Sequence, residues 1–216
     1  MRTIVKGAEP RSLTEHRLTR YCNYDNYNDK NTLRSALVAE QHGLCCYCMG
    51  RIRSEETYMK IEHWQCQARY PEQQLNYRNM LGACMGGKGL PPNRQHCDTK
   101  KGDLDFMLNP ADKRHHIETR LRYELDGSIR SDNEEIDDQL EEVLNLNLPS
   151  LKNSRKAKID GVREWLSDVK DRRHGPVPRK LLERELNRLT GGDGDSMPYC
   201  QVAVWWLERL LARMKE

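Results

Sequence analysis

Apolar residues in the second half of the chain recur with the spacing of one helical face. Four such stripes predict helices over about residues 136–144, 159–169, 179–189 and 203–214. Segments 174–178 and 190–198 separate the last three of these helices, because they contain Gly and Pro, which interrupt helices. This part of the chain is therefore predicted to be mainly helical.

The first 43 residues predict one short strand and two helices. Residues 3–6 have the composition of a strand, and Ser12 with Glu15 has the spacing of a capping box at the start of a helix. The next helix is expected from about Thr32 to His42, where Gly43 stops it.

Helical periodicity is lost between Leu44 and Asp103. Cys, Gly, Pro and His residues cluster there, which indicates a fold organised by a metal ion rather than by a large apolar core. The stretch "YMKIEH" predicts one short strand, and further on "RLRYELDGSIRS" predicts a β-hairpin that turns at Asp126 and Gly127.

Together these patterns predict an α+β protein with three parts. Residues 1–43 form an N-terminal strand and helices, residues 44–106 a metal-stabilised unit, and residues 107–216 a hairpin followed by helices. The last part is expected to bind a protein partner or nucleic acid.

The composition excludes a membrane protein. The chain has 216 residues, of which 37% are hydrophobic and 32% charged. No apolar run approaches the roughly 20 residues that a membrane-spanning helix needs, and the N-terminus lacks the apolar stretch of a signal peptide. We therefore expect a cytoplasmic protein, in which the eight cysteines favour a metal site over a disulfide scaffold.

The formal net charge of +3 conceals an asymmetry between neighbouring segments. Residues 131–150 carry seven acidic and no Lys or Arg side chains, whereas residues 151–190 carry twelve basic and six acidic ones. A basic segment of this kind can follow a nucleic-acid backbone, although a solvated helix surface has the same composition. Both interpretations stay open.

Four cysteines have the spacing of a structural zinc site. Cys45 and Cys48 form a C-x-x-C pair, and Cys84 and Cys97 are the natural second pair. The twelve residues between Cys84 and Cys97 include three Gly and two Pro, which suits a loop whose ends return to one point. Four thiolates would close a tetrahedral Zn²⁺ site. The remaining cysteines are interpreted as small buried side chains with unreactive thiols: Cys22, Cys46, Cys66 and Cys200.

Glu62 and His63 gain significance from the residues that follow them. An isolated Glu-His pair is typical of a solvated surface, but here Asn79 follows, five residues before Cys84. The order Cys45-x-x-Cys48, Glu62-His63, Asn79, Cys84, Cys97-Asp98-x-x-Lys101-Gly102 resembles the signature of HNH endonucleases, which carry it on a ββα-metal finger. Within that family the chain is most similar to the HNH component of Septu anti-phage systems (PtuB-type, also found beside some retrons), which shares "KGAEP", "EHW" and "HCDxxKG".

The resemblance implies a metal-dependent endonuclease that hydrolyses phosphodiester bonds of nucleic acid. Such a reaction needs a base at neutral pH and a cation on the phosphate oxygens. His63 suits the base, while Glu62 and Asp98 provide the hard oxygen ligands that Mg²⁺ or Mn²⁺ prefer. By resemblance, Asn79 fixes the orientation of His63 without binding metal. The family usually has Asn or His at the position of Asp98, so the metal preference stays open, with His96 as an alternative ligand.

Three residues near the signature have other predicted roles. Lys100 and Lys101 are candidate nucleic-acid contacts, or else an exposed basic turn. Trp64 is expected to pack within the finger, because an indole is usually mostly buried. Stacking on a base is the alternative for Trp64.

The resemblance also implies partners. The HNH chain of Septu systems works beside an ATPase of the ABC/SMC-like class, and beside a reverse transcriptase with its msDNA where the system is a retron. The candidate docking surfaces for the ATPase are the acidic segment 131–150 and the Trp-bearing C-terminal helix.

Two other functions stay open from the sequence. One is a non-catalytic zinc module that binds nucleic acid or protein, and the other is a restriction-type HNH nuclease that acts alone. The sequence does not distinguish a DNA substrate from an RNA substrate. Nor does it give the site of cleavage, the trigger or the number of copies that assemble.

Overall fold

The computed structural model describes residues 1–190 and 196–214. Within these ranges the helices are α1 Arg11–Arg17, α2 Lys30–Glu40, α3 Cys97–Lys101, α4 Ile117–Arg120, α5 Glu134–Glu142, α6 Pro149–Arg173, α7 Arg179–Thr190 and α8 Cys200–Arg213. The strands are β1 Lys60–His63, β2 Met80–Ala83, β3 Arg122–Tyr123 and β4 Ile129–Arg130. Short 3₁₀ turns lie at Pro71–Gln73, Tyr77–Asn79, Pro92–Arg94 and Lys113–His115. The fold is mixed and mainly helical, as predicted.

The cysteine-rich part contains two strands followed by a short helix. β1 pairs with β2 in the antiparallel direction, in a register that sets Glu62 opposite Leu81 and His63 opposite Met80. All four side chains of β2 are buried, so this strand is fixed by the core beneath it. α3 follows after the loop 84–96. This β1–β2–α3 unit contains Glu62, His63 and Asp98, three of the predicted site residues.

Apolar side chains form two main clusters. The larger one combines residues from all three predicted parts of the chain, among them Leu37, Phe106 and Leu140. The second joins α6, α7 and α8 through residues such as Val169 and Leu207. The cysteine-rich part therefore shares the main apolar core. This differs from the expectation that a metal would replace such a core there.

Residues 3–6 do not form the predicted strand. Ile4 donates one main-chain hydrogen bond to the oxygen of Pro110, at 2.7 Å. The main-chain N–H of Thr3 instead donates to the Glu118 carboxylate, at 2.6 Å. Because the Thr3 N–H is bonded to a side chain, the main-chain hydrogen bonds of a β-sheet do not continue along this segment.

The predicted capping box at the start of α1 is wrong. The Ser12 hydroxyl lies 2.9 Å from the hydroxyl of Tyr27 and makes no cap, and Glu15 pairs with Arg11 at 2.6 Å. Both side chains therefore have partners other than the helix terminus. α2 begins two residues earlier than predicted, because the Asp29 side chain caps its first turn.

β3 and β4 form the predicted hairpin, with its turn at Asp126 and Gly127. Gly127 has a φ of 85°, and a Cβ there would lie 2.1 Å from the main-chain oxygen of Lys152, so only glycine fits. α5 to α8 agree with the four predicted helices, and the predicted loop 190–198 lies partly outside the described residues. None of the described helices combines the length and the apolar character needed to cross a bilayer.

Candidate active site

Four cysteine sulfurs meet at one point, as the spacing predicted. The Sγ atoms of Cys45, Cys48, Cys84 and Cys97 all lie within 4.8 Å of one another. The distance is 3.8 Å between Cys45 and Cys97, and 3.7 Å between Cys48 and Cys84. A tetrahedral zinc ion with bonds of about 2.3 Å sets its sulfurs about 3.8 Å apart, so the observed spacing fits this ion. The group could hold Zn²⁺.

Local backbone geometry brings these sulfurs together. Cys45 and Cys48 lie on one tight turn, in which the Gly50 N–H donates to Cys48 Sγ at 3.3 Å. The loop between Cys84 and Cys97 returns on itself, since the His96 N–H donates to the Gly86 carbonyl at 2.9 Å. This contact confirms the expectation that the Gly- and Pro-rich loop closes. The two cysteines that flank it thereby reach the same ion site.

His96 faces the sulfur cluster and not the carboxylates. Its Nδ1 atom lies 3.2 Å from Cys97 Sγ and 3.9 Å from Cys84 Sγ. From this position the ring can donate a hydrogen bond to a thiolate, as groups around metal ligands commonly do. His96 therefore lies against the cysteine sulfurs, whereas Asp98 lies next to Glu62.

Glu62 and Asp98 form a buried pair of carboxyl groups. Glu62 comes from β1 and Asp98 from the first turn of α3, and each carboxyl group shifts the pKa of the other. Burial and the neighbouring Asp98 raise the pKa of Glu62 well above its usual range. Burial opposes ionisation of Asp98 as well, but its contacts with Glu62 and Lys60 lower its pKa.

Two ammonium groups and one hydroxyl surround this carboxyl pair. Lys101 Nζ lies 3.0 Å from Glu62 Oε1, and the Tyr47 hydroxyl donates to the same oxygen at 2.7 Å. Lys60 Nζ pairs with the carboxylate of Asp98. Two ammonium groups thus lie against the two carboxyl groups, and the Lys101–Glu62 pair is buried whereas Lys60 is 32% exposed.

Lys101 differs from its predicted role. Its side chain has 0% exposure, and besides Glu62 it reaches the main-chain oxygen of His63 at 3.3 Å. A lysine in this position cannot meet a phosphate without leaving a buried carboxylate unpaired, so it belongs to the interior of the site. Lys100, on the same helix, is half-buried, and its contact with nucleic acid stays a prediction.

The two ring nitrogens of His63 have different partners. Its Nε2 lies 2.9 Å from the main-chain oxygen of Gln74, which can only accept, so Nε2 carries the proton. The other nitrogen, Nδ1, faces the side-chain amide of Gln67 at 3.4 Å. Burial lowers the pKa of His63, although Gln74 and Asp98 oppose this effect. A neutral ring with its lone pair on Nδ1 is suited to accept a proton.

Asn79 ties together the loop between β1 and β2. Its side-chain amide donates to the main-chain oxygens of Gln65 at 2.9 Å and Gln73 at 3.2 Å. Its Oδ1 accepts from the Gln65 N–H at 2.8 Å. Gln73 precedes Gln74, the partner of His63, so Asn79 acts on His63 through the loop.

Trp64 packs below the site, in keeping with its expected role. Its indole N–H donates to the Phe106 oxygen at 2.9 Å, and its ring meets that of His115 edge-on. The side chain is half-buried and rests on the main apolar cluster.

Several residues that build the site were not predicted from the sequence. Tyr24 packs edge-on against His63, with ring centres 4.6 Å apart, although it lies in the loop before α2. Tyr47 and Lys60 contact the carboxyl pair. One signal was present for Lys60, since residues two apart on a strand share a face with Glu62. Gln74 contributes its main-chain oxygen, and the residue type does not indicate such a contact.

The carboxyl pair fits a hard divalent cation by its chemistry. Carboxylate oxygens are the ligands that Mg²⁺ and Mn²⁺ prefer. In the described residues, the cysteine cluster is the one group of three or more His, Cys, Asp or Glu side chains close enough to hold a metal. A cation on Glu62 and Asp98 would therefore complete its shell with water and substrate oxygens, as Mg²⁺ usually does.

Comparison with known proteins gives one partial similarity. No family model matches the chain. The Septu protein PtuB of Bacillus thuringiensis is 31% identical over 81 residues, which make up 38% of this chain. The matched segment spans 28% of the length of that relative. Over this segment the chain is similar to a protein named for a Septu system.

Proposed function

We propose that this chain is a metal-dependent endonuclease of the HNH type that hydrolyses phosphodiester bonds of nucleic acid. One observation carries the proposal: the imidazole of His63 is fixed at Nε2, and the charge of Asp98, the neighbour of Glu62, acts on this ring. A base and a pair of oxygen ligands for a cation are the groups that phosphodiester hydrolysis requires.

His63 takes the role of general base. Its Nδ1 accepts the proton of the attacking water, while the Gln74 carbonyl holds the ring in place through Nε2–H. Asn79 is a positioning residue, because it holds the loop that carries Gln74. Tyr47 and Lys101 keep the Glu62 carboxylate in one orientation.

Glu62 and Asp98 would hold the catalytic cation. When bound, Mg²⁺ or Mn²⁺ stabilises negative charge on the phosphate and leaving oxygens. The four cysteines would hold a separate, structural Zn²⁺. They lie before β1, at the end of β2 and at the start of α3, so this ion would fix α3, with Asp98, against β1, with Glu62.

Similarity to a Septu protein supports a role in anti-phage defence in the cytoplasm. By this proposal the chain acts with an ATPase of the ABC/SMC-like class, and with a reverse transcriptase and its msDNA where the system is a retron. The acidic segment 131–150 and α8 are the surfaces for the ATPase. Unchanged affinity for the ATPase after deletion of residues 198–216 would exclude α8.

The test is cleavage by the purified, zinc-loaded chain. Plasmid DNA, phage DNA and total RNA are incubated with Mg²⁺ or Mn²⁺, with and without the ATPase encoded beside it. We expect cation-dependent cleavage, and the product ends identify the bond broken. Cleavage by the chain alone would favour the restriction-type alternative, in which no partner is needed.

The second candidate is a zinc module without hydrolytic activity. It is favoured by the ammonium groups of Lys60 and Lys101, which already neutralise the two carboxylates. Calorimetric titration of the zinc-loaded chain with Mn²⁺ in the presence of nucleic acid separates the candidates. A nuclease binds Mn²⁺ through Glu62 and Asp98, and Glu62→Gln abolishes this binding, whereas the zinc module shows none.

A further inference from the structure

A buried arginine close to the site has an incomplete set of partners. Arg34, on α2, has a side chain with 9% exposure, and its Nε has no hydrogen-bond partner. Its Nη1 donates to the Asn31 side chain at 3.0 Å. Its carboxylate neighbour is Glu56, at 3.5 Å, which is too long for a strong hydrogen bond, and the Glu56 side chain is 83% exposed. The guanidinium is thus desolvated but only loosely paired.

Lys30, one turn earlier on α2, extends this positive group. Its ammonium lies 4.6 Å from the centre of the Tyr24 ring. No carboxylate pairs with it among the residues that the structure describes. Lys30 and Arg34 are four residues apart and therefore share one helix face.

Tyr24 connects these cations to His63. Its ring packs edge-on against the imidazole, and its main-chain N–H donates to the side chain of Gln74 at 3.0 Å. Burial raises the pKa of Tyr24 to about 12, and the charge of Arg34 acts on the same hydroxyl. The hydroxyl is therefore protonated and makes no hydrogen bond with the described protein, so it is available as a donor.

We propose that Arg34, Lys30 and the hydroxyl of Tyr24 form an anion site beside His63 that binds a backbone phosphate of the nucleic-acid substrate. This inference rests on the proposed function and adds a substrate contact from outside the β1–β2–α3 unit. A desolvated guanidinium that is only loosely paired is costly, and a phosphate oxygen in place of Glu56 gives its Nη2 a charge-assisted bond. Exposed and loosely held, Glu56 is the group that the phosphate displaces.

The anion site would also replace a predicted phosphate contact that Lys101 does not provide. Lys101, one of the two predicted phosphate contacts, is buried against Glu62. The phosphate next to the cut bond then needs cations from another element, and α2 supplies them on the side of His63 where Tyr24 lies.

The test is binding of nucleic acid by the full, zinc-loaded chain carrying His63→Ala, so that the probe stays uncut. Fluorescence anisotropy with a short labelled DNA strand, and with RNA of the same sequence, is followed over a range of KCl concentrations. We expect Arg34→Gln to weaken binding about tenfold and to lower the salt slope by about 1. Lys30→Gln should weaken it about threefold. Arg11→Gln removes an equal charge from an exposed helix position and should leave the affinity unchanged.

A variant that is expected to gain affinity gives an independent test. This test is needed because Arg34→Gln replaces a buried side chain, and a change in folding would also weaken binding. Glu56→Gln removes the competing carboxylate and should tighten binding about threefold. Glu55→Gln, with the same charge change at the neighbouring exposed position, should have a smaller effect. Zinc content and circular dichroism confirm that each variant is folded.

Equal affinities of the Arg34→Gln and Arg11→Gln proteins overturn the anion site, as does identical behaviour of Glu56→Gln and Glu55→Gln. A chain that binds no probe overturns it as well. Failure of the proposed function has another signature: the unsubstituted chain leaves all substrates intact in Mg²⁺ and Mn²⁺. The binding result stands whichever way that experiment ends.

Discussion

The Nε2–H group of His63 donates a hydrogen bond to the main-chain oxygen of Gln74, 2.9 Å away. This contact fixes both the orientation and the tautomer of the ring, since the carbonyl can only accept. The loop that presents the carbonyl is held by Asn79, whose side-chain hydrogen bonds go to Gln65 and Gln73. By the proposed function, the orientation of the His63 base therefore depends on Asn79, which acts through the loop that carries Gln74.

Asn79→Ala tests this dependence. Three hydrogen bonds to Gln65 and Gln73 are lost, so we expect unfolding free energy to fall by about 2–3 kcal/mol and cleavage to slow about tenfold or more. Urea unfolding and single-turnover cleavage measure the two effects. Asn76→Ala, at an exposed turn position nearby, is the control and should change the cleavage rate little. Equal rates for the two variants would contradict the role of Asn79.

Lys101→Met leaves the buried Glu62 carboxylate without its cation. Breaking a buried ion pair in this way is expected to lower stability by about 3–5 kcal/mol. Adding Glu62→Gln removes the orphaned charge, so the double variant should be clearly more stable than Lys101→Met alone. Lys100→Met, at the half-buried neighbouring position, should change stability by less than about 0.5 kcal/mol. Denaturant unfolding of the unsubstituted chain, Lys101→Met, Glu62→Gln and the double variant checks the cycle, and strictly additive effects would rule out the pair.

Zinc removal should unfold the cysteine-rich part. A structural zinc ion contributes about 10–16 kcal/mol of binding free energy, which is as large as the roughly 5–15 kcal/mol stability of a whole domain. Metal analysis should find one zinc per chain, and a strong chelator should abolish the near-UV circular dichroism of buried residues such as Tyr47. Cys84→Ser should lose the metal, whereas Cys22→Ser should retain it. A stable, fully folded chain after chelation would refute the zinc site.

Two glycines should respond in opposite directions to alanine. At Gly127 a Cβ would meet the Lys152 oxygen at 2.1 Å with φ at 85°, so we expect a loss of at least about 2 kcal/mol. At Gly161, within α6, a Cβ meets nothing within 4 Å. There alanine should stabilise the helix by about 0.5–1 kcal/mol. Thermal unfolding measures both, and equal shifts would argue against the hairpin docking on α6.

The sequence predicted the elements whose signal is local. Helical periodicity located α5 to α8, and the Asp126–Gly127 pair located the hairpin. The C-x-x-C spacing and the Gly-rich loop were sufficient to group four cysteines, because each signal lies within a few residues of a ligand. By contrast, residues 3–6 have strand composition but find no partner strand among the described residues, and composition alone cannot supply one.

The parts of the site that escaped prediction depend on distant contacts. Lys101 resembles an exposed residue of a basic turn, and only the pairing with Glu62 buries it. Tyr24 reaches His63 from a loop near the N-terminus, and nothing in that loop indicates its neighbour. Gln74 contributes a main-chain oxygen, which any residue could provide. Such contacts follow from tertiary structure and not from residue type.

The most direct test of the central claim compares cleavage by the unsubstituted chain and by His63→Ala under Mg²⁺ or Mn²⁺, with and without the ATPase encoded beside it. His174→Asn, at an exposed position after α6, is the matched control. We predict that His63→Ala retains its zinc and its fold but cleaves at least about a hundredfold more slowly, while His174→Asn cleaves at the normal rate. Cleavage by His63→Ala at the rate of the unsubstituted chain, or no cleavage by any of the three proteins, would contradict the account.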